Sequence, residues 1–284
     1  MAVIWGLSFV LVLRVVEAFG WVGAVTFRAL IASALLLLLA RLTRRRLRFG
    51  APWPLVVIGA TTVAGQLIGL SFATPRIGTA MAAIFVGTIP LFSMLIGQLW
   101  GLEHITPGGR VGLLLGFAGI VLLVGFPAVP VTSSFLLGCA ASIVGAVSAA
   151  VGSNYAHARL RAVGSWEQTM GAFFYGGLMT LPLLLLVPVP ATPTLRDLGL
   201  LVLLAGMCSA LAYVLYFRLV AEVGATIAIS VEFVVTAIAV GVGALLLHEP
   251  LSLMQLLGAA VIITGCSMVL GLLPRRTPTA VTGA

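Results

Sequence analysis

Among the ionisable side chains of this 284-residue sequence, Glu232 is the best placed to bind a ligand or a proton. It is a carboxylate well inside an apolar run. Charge at the centre of a membrane helix costs on the order of 2.5–3.5 kcal/mol, so the side chain should face the bundle interior or a cavity. There it could bind a substrate amine or a proton. The alternative is a protonated carboxyl that bonds Ser230, Thr236 or a backbone carbonyl.

A second ionisable side chain, Arg28, lies about a turn and a half inside one end of its apolar run. Its guanidinium could bind a substrate carboxylate through two parallel hydrogen bonds. The interpretation we favour is structural: the side chain extends to the lipid headgroups or pairs with Glu17 or Glu249. Arg28 and Glu232 are near opposite ends of their helices, so we expect no direct salt bridge between them.

Polar and aromatic side chains in other apolar runs complete the set of candidate solute-binding residues. Ser209, Tyr213 and Tyr216 share one helix face through their i, i+4 and i+7 spacing. The candidates for solute binding are Trp5, Ser8, Gln66, Asn154, Tyr213, Tyr216 and Glu232. Such groups can line a polar cavity with aromatic walls. The alternative is ordinary interhelical hydrogen bonding, worth about 0.6 kcal/mol for each bond.

Composition places these residues in a membrane protein. Hydrophobic residues make up 61% of the chain and charged residues 8%, and mean hydropathy is +1.24. A soluble domain carries about a quarter charged residues. All 15 basic residues are arginines that are scattered along the chain and do not form a basic face with aromatic residues, so no nucleic-acid partner is expected. The three cysteines lack Cys-x-x-Cys spacing, and no metal or other cofactor is expected.

The apolar runs predict an all-α bundle of ten membrane-spanning helices. The predicted spans are 2–19, 22–40, 53–73, 78–100, 111–127, 135–156, 168–188, 198–218, 224–247 and 253–273. The runs lack the alternation of barrel strands. We expect the first helix to continue through Arg14 and Glu17, with an N-terminal turn or two missing from this sequence. The start does not resemble a signal peptide.

The arginines predict the orientation of the bundle. Eleven lie on the side of the second connection, and three, Arg14, Arg76 and Arg196, lie on the other. The eleven are Arg41, Arg44, Arg45, Arg46, Arg48, Arg110, Arg159, Arg161, Arg218, Arg275 and Arg276. Because positive residues favour the cytoplasmic side, we expect a plasma-membrane protein with both termini in the cytoplasm.

An internal duplication relates the two halves of the chain at an offset of 146 residues. The matching pairs are Gly78 and Gly224, Glu103 and Glu249, Thr106 and Ser252, Gly112 and Gly258, Gly119 and Gly265, and Gly125 and Gly271. We expect one repeat at 1–127, a second at 135–273 and a cytoplasmic tail at 274–284. Five spans in each repeat would invert the second copy, an arrangement typical of transporters.

These residues resemble the EamA-like family of the drug/metabolite transporter superfamily. The resemblance rests on Trp5-Gly6, Ser8-Phe9, Arg28, the series Pro90, Glu103, Ile105 and Thr106, and the glycine-spaced fifth and tenth spans. It implies two five-helix repeats and a function close to that of amino-acid and metabolite exporters. The chain departs from the family where Thr236 replaces a proline and where Glu232 lies one turn before the usual acidic position.

The repeated helices also contain candidate gating residues. Pro90 lacks an N–H group, so we expect a kink there and a hinge during transport. Glu103 and Glu249 end helices at opposite faces, and we interpret them as interface anchors, with a gating role as the alternative. Together with Arg28 they are the charge and gating candidates. The glycines predict close helix packing, either within a scaffold pair or at a homodimer contact.

We therefore expect a secondary transporter that exports a small organic solute, such as an amino acid or a related amphipathic metabolite, by alternating access. The sequence has no phosphate-binding GxxxxGK[ST] loop, so ATP is not the direct energy source. Proton coupling through Glu232 and uncoupled export both remain open.

The alternative is a membrane enzyme or flippase for lipid-linked substrates. Such an enzyme would need clustered acidic residues and histidines, and this sequence has no such cluster, so no enzymatic activity is expected. An ion channel would need a ring of charges or carbonyl oxygens, and no segment of this sequence suggests one.

Overall fold

The computed structural model describes residues 1–102, 104, 106–127, 130–190 and 192–270, and these residues form helices without any strand. The helices are α1 (Ala2–Leu42), α2 (Pro52–Ile77), α3 (Thr79–Leu99), α4 (Pro107–Gly125), α5 (Ser133–Arg159), α6 (Ser165–Thr180), α7 (Leu195–Val223), α8 (Ala225–Leu245) and α9 (Leu253–Val269). Seven of them, all except α6 and α9, are long and apolar enough to cross a membrane. The protein is therefore an all-α, multi-pass membrane protein.

Helix α1 contains two of the predicted spans, separated at Gly20. The backbone there is non-helical, with φ 73° and ψ 164°. A side chain would be strained at this positive φ, and a Cβ would also lie 3.3 Å from Pro190 Cδ. The first half of α1 continues through Arg14 and Glu17, as predicted.

Other predicted bounds differ at helix ends. The span expected at 168–188 begins earlier, at Ser165, and its α-helix ends at Thr180. A 3₁₀ turn, Leu181–Leu185, follows with Pro182 near its start. Proline is tolerated in the first turn of a helix, so it accompanies the change of helix type at this point. The proposed tail at 274–284 lies outside the described residues.

Backbone irregularities recur at equivalent positions of the two halves. Gly78 has φ 84° and ψ 162°, and its equivalent Gly224 has φ 90° and ψ 166°. Both α2 and α7 contain a π-helical stretch, at Gly59–Gly65 and Leu204–Leu211. Such stretches are rare and accumulate at functional sites. The duplication thus includes backbone features as well as residue types.

Helices α3 and α8 are both interrupted near their middles. In α3 the break lies at Gly87 and Thr88, and Pro90 follows in the first turn of the second half. Proline suits that position because a backbone N–H there would have no intrahelical acceptor. The helix is thus interrupted just before Pro90, whereas the kink expected at Pro90 itself stays a prediction. In α8 the break lies at residues 230–231, which places Glu232 in the first turn of the second half.

Equivalent helices pack against each other in antiparallel pairs. In the pair α4 and α9, Gly112 lies beside Gly265 and Gly119 beside Gly258. A Cβ on Gly112 would lie 2.5 Å from the carbonyl oxygen of Gly265, so only glycine permits this approach. These glycines therefore form a scaffold pair within the chain, the first of the two predicted alternatives. A homodimer stays a prediction.

The pair α3 and α8 runs antiparallel in the same way. Ala80 lies beside Gly243, and Gly87 lies beside Thr236. Thr236 donates a hydrogen bond of 2.9 Å from its hydroxyl to the carbonyl oxygen of Ala83. The Thr236 side chain therefore ties the two interrupted helices together, at the position where the resemblance implies a proline.

Candidate functional site

One buried cavity of about 40 Å³ brings together side chains that are far apart in the sequence. Its wall includes Trp5, Ser8, Arg28, Gln66, Tyr213 and Glu232. They come from both halves of α1 and from α2, α7 and α8, and α3 contributes Val86. Five of the seven predicted solute-binding residues thus meet at one place, together with one charged gating candidate.

Arg28 points into the protein. It is 4% exposed, and its Nε donates a hydrogen bond of 2.6 Å to Ser209 Oγ. The favoured prediction, that Arg28 extends to the headgroups or pairs with Glu17 or Glu249, is wrong. Glu17 pairs with Arg14, and Glu249 is bound to another helix. The other N–H groups of the Arg28 guanidinium have no hydrogen-bond partner in the described part of the chain.

The Arg28 side chain turns inward because its helix face packs in the bundle. Val25, Ala29 and Ala32 lie on that face at helical spacing, and each is 0% exposed. A buried guanidinium without a carboxylate partner is costly, so the arrangement favours an anionic ligand. A substrate carboxylate is such an anion, and the planar guanidinium matches its geometry.

Glu232 faces the same cavity and is 6% exposed. Its carboxylate makes no hydrogen bond or ion pair with a described residue. The predicted alternative partners are engaged elsewhere: Ser230 donates to the carbonyl of Ile227, and Thr236 donates to that of Ala83. Glu232 and Arg28 form no ion pair, as predicted. The cavity wall therefore holds one acidic and one basic side chain that do not neutralise each other directly.

Aromatic rings form one side of the cavity and the layer behind it. The ring centroids of Trp5 and Tyr213 lie 5.2 Å apart, and Phe173 packs edge-on against Tyr213 at 4.9 Å. The Trp5 indole N–H donates to the carbonyl oxygen of Cys208 at 2.9 Å. That carbonyl belongs to the π-helical stretch of α7. The irregular backbone of α7 thus helps to orient the indole.

Tyr216 is one of two predicted solute-binding residues that do not line the cavity. It lies behind Trp5, with ring centroids 5.5 Å apart. Its hydroxyl forms a hydrogen bond of 2.6 Å with Ser153 Oγ. Tyr216 therefore supports the aromatic wall from outside and fixes it to α5.

Asn154 is the other, and it joins three helices near one face of the bundle. Its Nδ2 donates to the carbonyl and hydroxyl oxygens of Ser93, at 3.1 and 2.9 Å. Ser93 in turn is 3.1 Å from Thr226 Oγ1. Thus α5, α3 and α8 are linked through buried polar atoms close to the C-terminal end of α5. This set of contacts is called the Asn154 link below.

Glu249 makes a corresponding connection near the opposite face. Its carboxylate accepts hydrogen bonds from Thr79 and Ala80, the first two residues of α3. Of the remaining gating candidates, Pro90 is buried in α3 but does not line the cavity. Glu103 lies outside the described residues.

Two polar residues near the cavity have contacts that the sequence does not reveal. Ser209 is recognisable from its spacing with Tyr213, yet its hydrogen bond to Arg28 joins residues 181 positions apart. Ser142 lines a smaller void of about 10 Å³ beside Gln66 and Val86, and its buried hydroxyl has no partner among the described residues. A serine in an apolar helix carries no signal that distinguishes such a position from ordinary packing.

The cavity is too small for a metabolite in this conformation. Its volume of about 40 Å³ holds roughly three water molecules, whereas small-molecule sites measure about 300–1,000 Å³. The Asn154 link and the Glu249 contacts lie on opposite sides of it along the bundle. A solute of that size can therefore bind there only if the surrounding helices move apart.

Comparison with known proteins also divides the chain into two halves. The sequence pattern of the EamA-like transporter family matches residues 1–125 and 136–271. Protein PecM of Dickeya dadantii is 28% identical over 269 residues, which cover 94% of this chain and 88% of PecM. An uncharacterized transporter of Bacillus subtilis, YvbV, is 28% identical over 257 residues, covering 85% of this chain and 80% of YvbV.

A solved crystal structure shares the fold. It is 18% identical in sequence and superposes with a TM-score of 0.70, covering 95% of this chain and 94% of that one. Similarity at this level of identity concerns the arrangement of helices alone. The chemistry of the cavity has to be argued from the residues of this chain.

Proposed function

Because this chain belongs to the EamA-like transporter family and is a membrane transporter, we propose that it exports a small amphipathic solute such as an amino acid. The observation that carries the proposal is the joint placement of Arg28 and Glu232 in one buried cavity, without an ion pair between them. A zwitterion offers a carboxylate to Arg28 and an ammonium group to Glu232. Each charge of the solute then neutralises a buried charge of the protein.

The aromatic wall suits the rest of such a solute. Trp5 and Tyr213 present ring surfaces to the cavity, and Gln66 and Ser8 add polar atoms. Aromatic faces bind apolar side chains and also attract an ammonium group. This combination favours an amphipathic metabolite over an inorganic ion, which would need closely spaced charges or carbonyl oxygens.

Alternating access between ten spans in two inverted repeats would move the solute. The proposed repeats are residues 1–127 and 135–273, with both termini in the cytoplasm of a plasma-membrane protein. The antiparallel packing of α4 with α9, and of α3 with α8, supports inversion, because equivalent helices of a parallel repeat would run in the same direction. The two interrupted helices α3 and α8 lie at the repeat interface, where transporters of this design bind their substrates.

Two polar connections would then open in turn. The Asn154 link holds α5, α3 and α8 together near the arginine-rich face, and the Glu249 contacts hold α3 at the other face. Opening one while the other stays closed exposes the cavity to one side only. Pro90 and the adjacent break in α3 provide a position at which the helix can bend.

Transport by reconstituted protein tests the proposal. Vesicles loaded with a panel of labelled amino acids and related amphipathic metabolites are assayed for efflux, with and without a pH gradient. We expect at least one zwitterionic solute to leave faster than from protein-free vesicles. Glu232→Gln keeps the shape but removes the charge, so efflux should fall about tenfold, as for a lost charge-assisted hydrogen bond. Glu222→Gln, at an exposed ion pair with Arg218, is the matched control.

The assay also separates the alternatives. An effect of the pH gradient on wild-type efflux that disappears in Glu232→Gln identifies proton coupling through this residue. Efflux that is insensitive to the gradient identifies facilitated export. If no zwitterion moves while labelled lipid-linked substrate crosses the bilayer, the proposal is wrong and the flippase alternative takes its place.

A further inference from the structure

A second cavity lies at the outer surface of the bundle, away from the central site. It measures about 260 Å³ and is lined by residues of the second half of α1, the connection after it, the start of α2 and the middle of α6. Its wall includes Leu37, Phe49, Leu55, Met170 and Phe174. Phe49 and Phe174 are 47% and 46% exposed, so the cavity opens onto the outer surface of the bundle. We call it the lateral cleft.

The lateral cleft has apolar walls that need no polar ligand. The hydroxyl of Ser33, one of its few polar side chains, already donates to the carbonyl of Met170 at 3.1 Å. Burial of apolar surface is the interaction that such walls can offer. An acyl chain of a bilayer lipid supplies such a surface.

The arginine-rich connection lies directly beside the cleft. Residues 43–51 join α1 to α2, and two of the cleft residues, Phe49 and Gly50, belong to this connection. Its four arginines, Arg44, Arg45, Arg46 and Arg48, are all exposed, and so is Arg41 at the end of α1. Glu167, the acidic residue bound to this segment, is 5% exposed and accepts a hydrogen bond from the backbone N–H of Arg48. The surface beside the cleft therefore presents positive charge.

Arg45 fixes the position of that charge relative to the cleft. Its guanidinium carbon lies 4.8 Å from the ring centroid of Trp166. Trp166, Met170 and Phe174 are spaced four residues apart on one face of α6, and the last two line the cleft. Arg45 thus lies over the same face of α6 that forms the apolar wall, one turn nearer the N-terminal end of the helix.

The other half of the chain has no counterpart to this charge. At the offset of 146 residues, positions 41–48 correspond to 187–194, which read VPVPATPT and contain no charged residue. An excess of arginine on one face also directs membrane orientation. Orientation alone, however, does not require an apolar cleft below the arginines or a guanidinium stacked at its end.

We propose that the lateral cleft, together with Arg45 and its neighbouring arginines, binds one phospholipid with an anionic headgroup. An acyl chain occupies the cleft between Leu37 and Phe174, and the phosphate lies among the arginines, to which a phosphate oxygen can accept charge-assisted hydrogen bonds. The bound lipid joins the second half of α1 to α6. This inference does not depend on the identity of the transported solute.

Native mass spectrometry of the full-length protein in neutral detergent tests this inference. Phosphatidylglycerol and phosphatidylcholine with identical acyl chains are added, and the bound lipids are counted. Leu37→Trp fills the cleft, whereas Leu38→Trp places the same ring on the neighbouring exposed residue, which does not line the cleft. Arg45→Gln removes one charge beside the cleft, and Arg110→Gln removes an exposed arginine on another helix.

We expect one phosphatidylglycerol to bind in preference to phosphatidylcholine. Arg45→Gln should weaken that binding about fivefold, the effect of one basic residue near an anionic lipid surface. Leu37→Trp should abolish it, and Leu38→Trp and Arg110→Gln should bind like the wild type. Equal binding of the two lipids, unchanged binding by Leu37→Trp, or complete competition by glycerol phosphate, which has no acyl chain, would each overturn the inference.

Discussion

The carboxylate of Glu249 caps the helix that begins at Thr79, although the two residues are 170 positions apart. It accepts hydrogen bonds from the backbone N–H of Thr79 at 2.7 Å, from its hydroxyl at 2.8 Å and from the N–H of Ala80 at 2.8 Å. The first N–H groups of a helix lack partners within the helix, and a negative charge there is favoured by the helix dipole. The connection between α8 and α9 is thereby held against the start of α3.

Removing this cap should destabilise the protein. Glu249→Ala leaves the Thr79 and Ala80 N–H groups without their acceptor, and loss of a cap costs about 0.5–2 kcal/mol. Glu249→Gln keeps one acceptor oxygen without the charge and should lie between alanine and wild type. The measurement is the thermal midpoint of the purified protein in detergent. Glu222→Ala removes a carboxylate from an exposed ion pair, worth at most about 0.5 kcal/mol, and is the control. Equal midpoints for the two alanine variants would contradict the capping role.

The scaffold pair α4 and α9 should be sensitive to a single methyl group. Gly112→Ala would place its Cβ 2.5 Å from the carbonyl oxygen of Gly265 and 2.9 Å from Met268 Cβ. Because the nearest atom is a backbone oxygen of α9, which cannot rotate away as a side chain can, the two helices must move apart. Overpacking of this kind costs about 1–3 kcal/mol. Gly241→Ala is the matched control in α8, since no atom lies within 4 Å of its added Cβ.

The two glycine variants should shift the thermal midpoint in opposite directions. Alanine at an unobstructed helical position gains about 0.5–1 kcal/mol over glycine, so Gly241→Ala should unfold at the same or a higher temperature than the wild type. Gly112→Ala should unfold at a lower one. If both variants behaved alike, the close approach of α4 and α9 would not be needed for stability.

Arg28 should require its guanidinium and not only its charge. Arg28→Lys keeps a positive charge, but an ammonium group cannot form two parallel hydrogen bonds to a carboxylate while also donating to Ser209. We expect efflux of a zwitterionic solute to fall about tenfold, equivalent to one lost charged hydrogen bond. Efflux is measured from reconstituted vesicles at equal protein content.

A companion variant separates positioning from binding at this residue. Ser209→Ala removes the hydrogen bond that orients the Arg28 side chain but leaves the guanidinium in place. It should reduce efflux less than Arg28→Lys does. Wild-type efflux by Arg28→Lys would show that the guanidinium does not contact the solute.

The sequence predicts which residues surround the cavity better than it predicts their partners. Trp5, Gln66, Tyr213 and Glu232 stand out because polar groups in apolar runs favour the bundle interior. The inward direction of Arg28 is not predictable, because the helix around it is apolar on every face and offers no periodicity. The hydrogen bond between Arg28 and Ser209 depends on how α1 packs against α7, which no local pattern contains.

The same limit applies to the polar connections at the two faces. Asn154 is recognisable as a buried polar residue, but its contacts with Ser93 arise where α5 meets α3. Glu249 is recognisable from the repeat, but a cap on Thr79 requires contact between the two halves. By contrast, the break in α3 near Pro90 is predictable, since proline acts on its own backbone.

Thr236 should contribute to stability through its hydroxyl. Thr236→Val has nearly the same shape but cannot donate to the Ala83 carbonyl, which the Thr236 hydroxyl now reaches at 2.9 Å. Loss of a buried hydrogen bond costs about 1 kcal/mol. Thr264→Val is the control, because Thr264 is exposed and donates only within its own helix. A thermal midpoint for Thr236→Val as high as that of the control would mean that the hydroxyl does not join α3 to α8.

Inverted repeats predict that equivalent helix ends lie on opposite sides of the membrane. Trp100 and Leu246 are equivalent at the offset of 146 residues and follow the ends of α3 and α8. They are 46% and 69% exposed, whereas Cys139, Cys208 and Cys266 are buried and should react slowly. With cytoplasmic termini, a membrane-impermeant maleimide added to intact cells should label Leu246→Cys. It should label Trp100→Cys, and the exposed Thr43→Cys on the same side, only after permeabilisation. Labelling of Trp100→Cys and Leu246→Cys from the same side would contradict the inversion, because two parallel repeats place equivalent residues on one face.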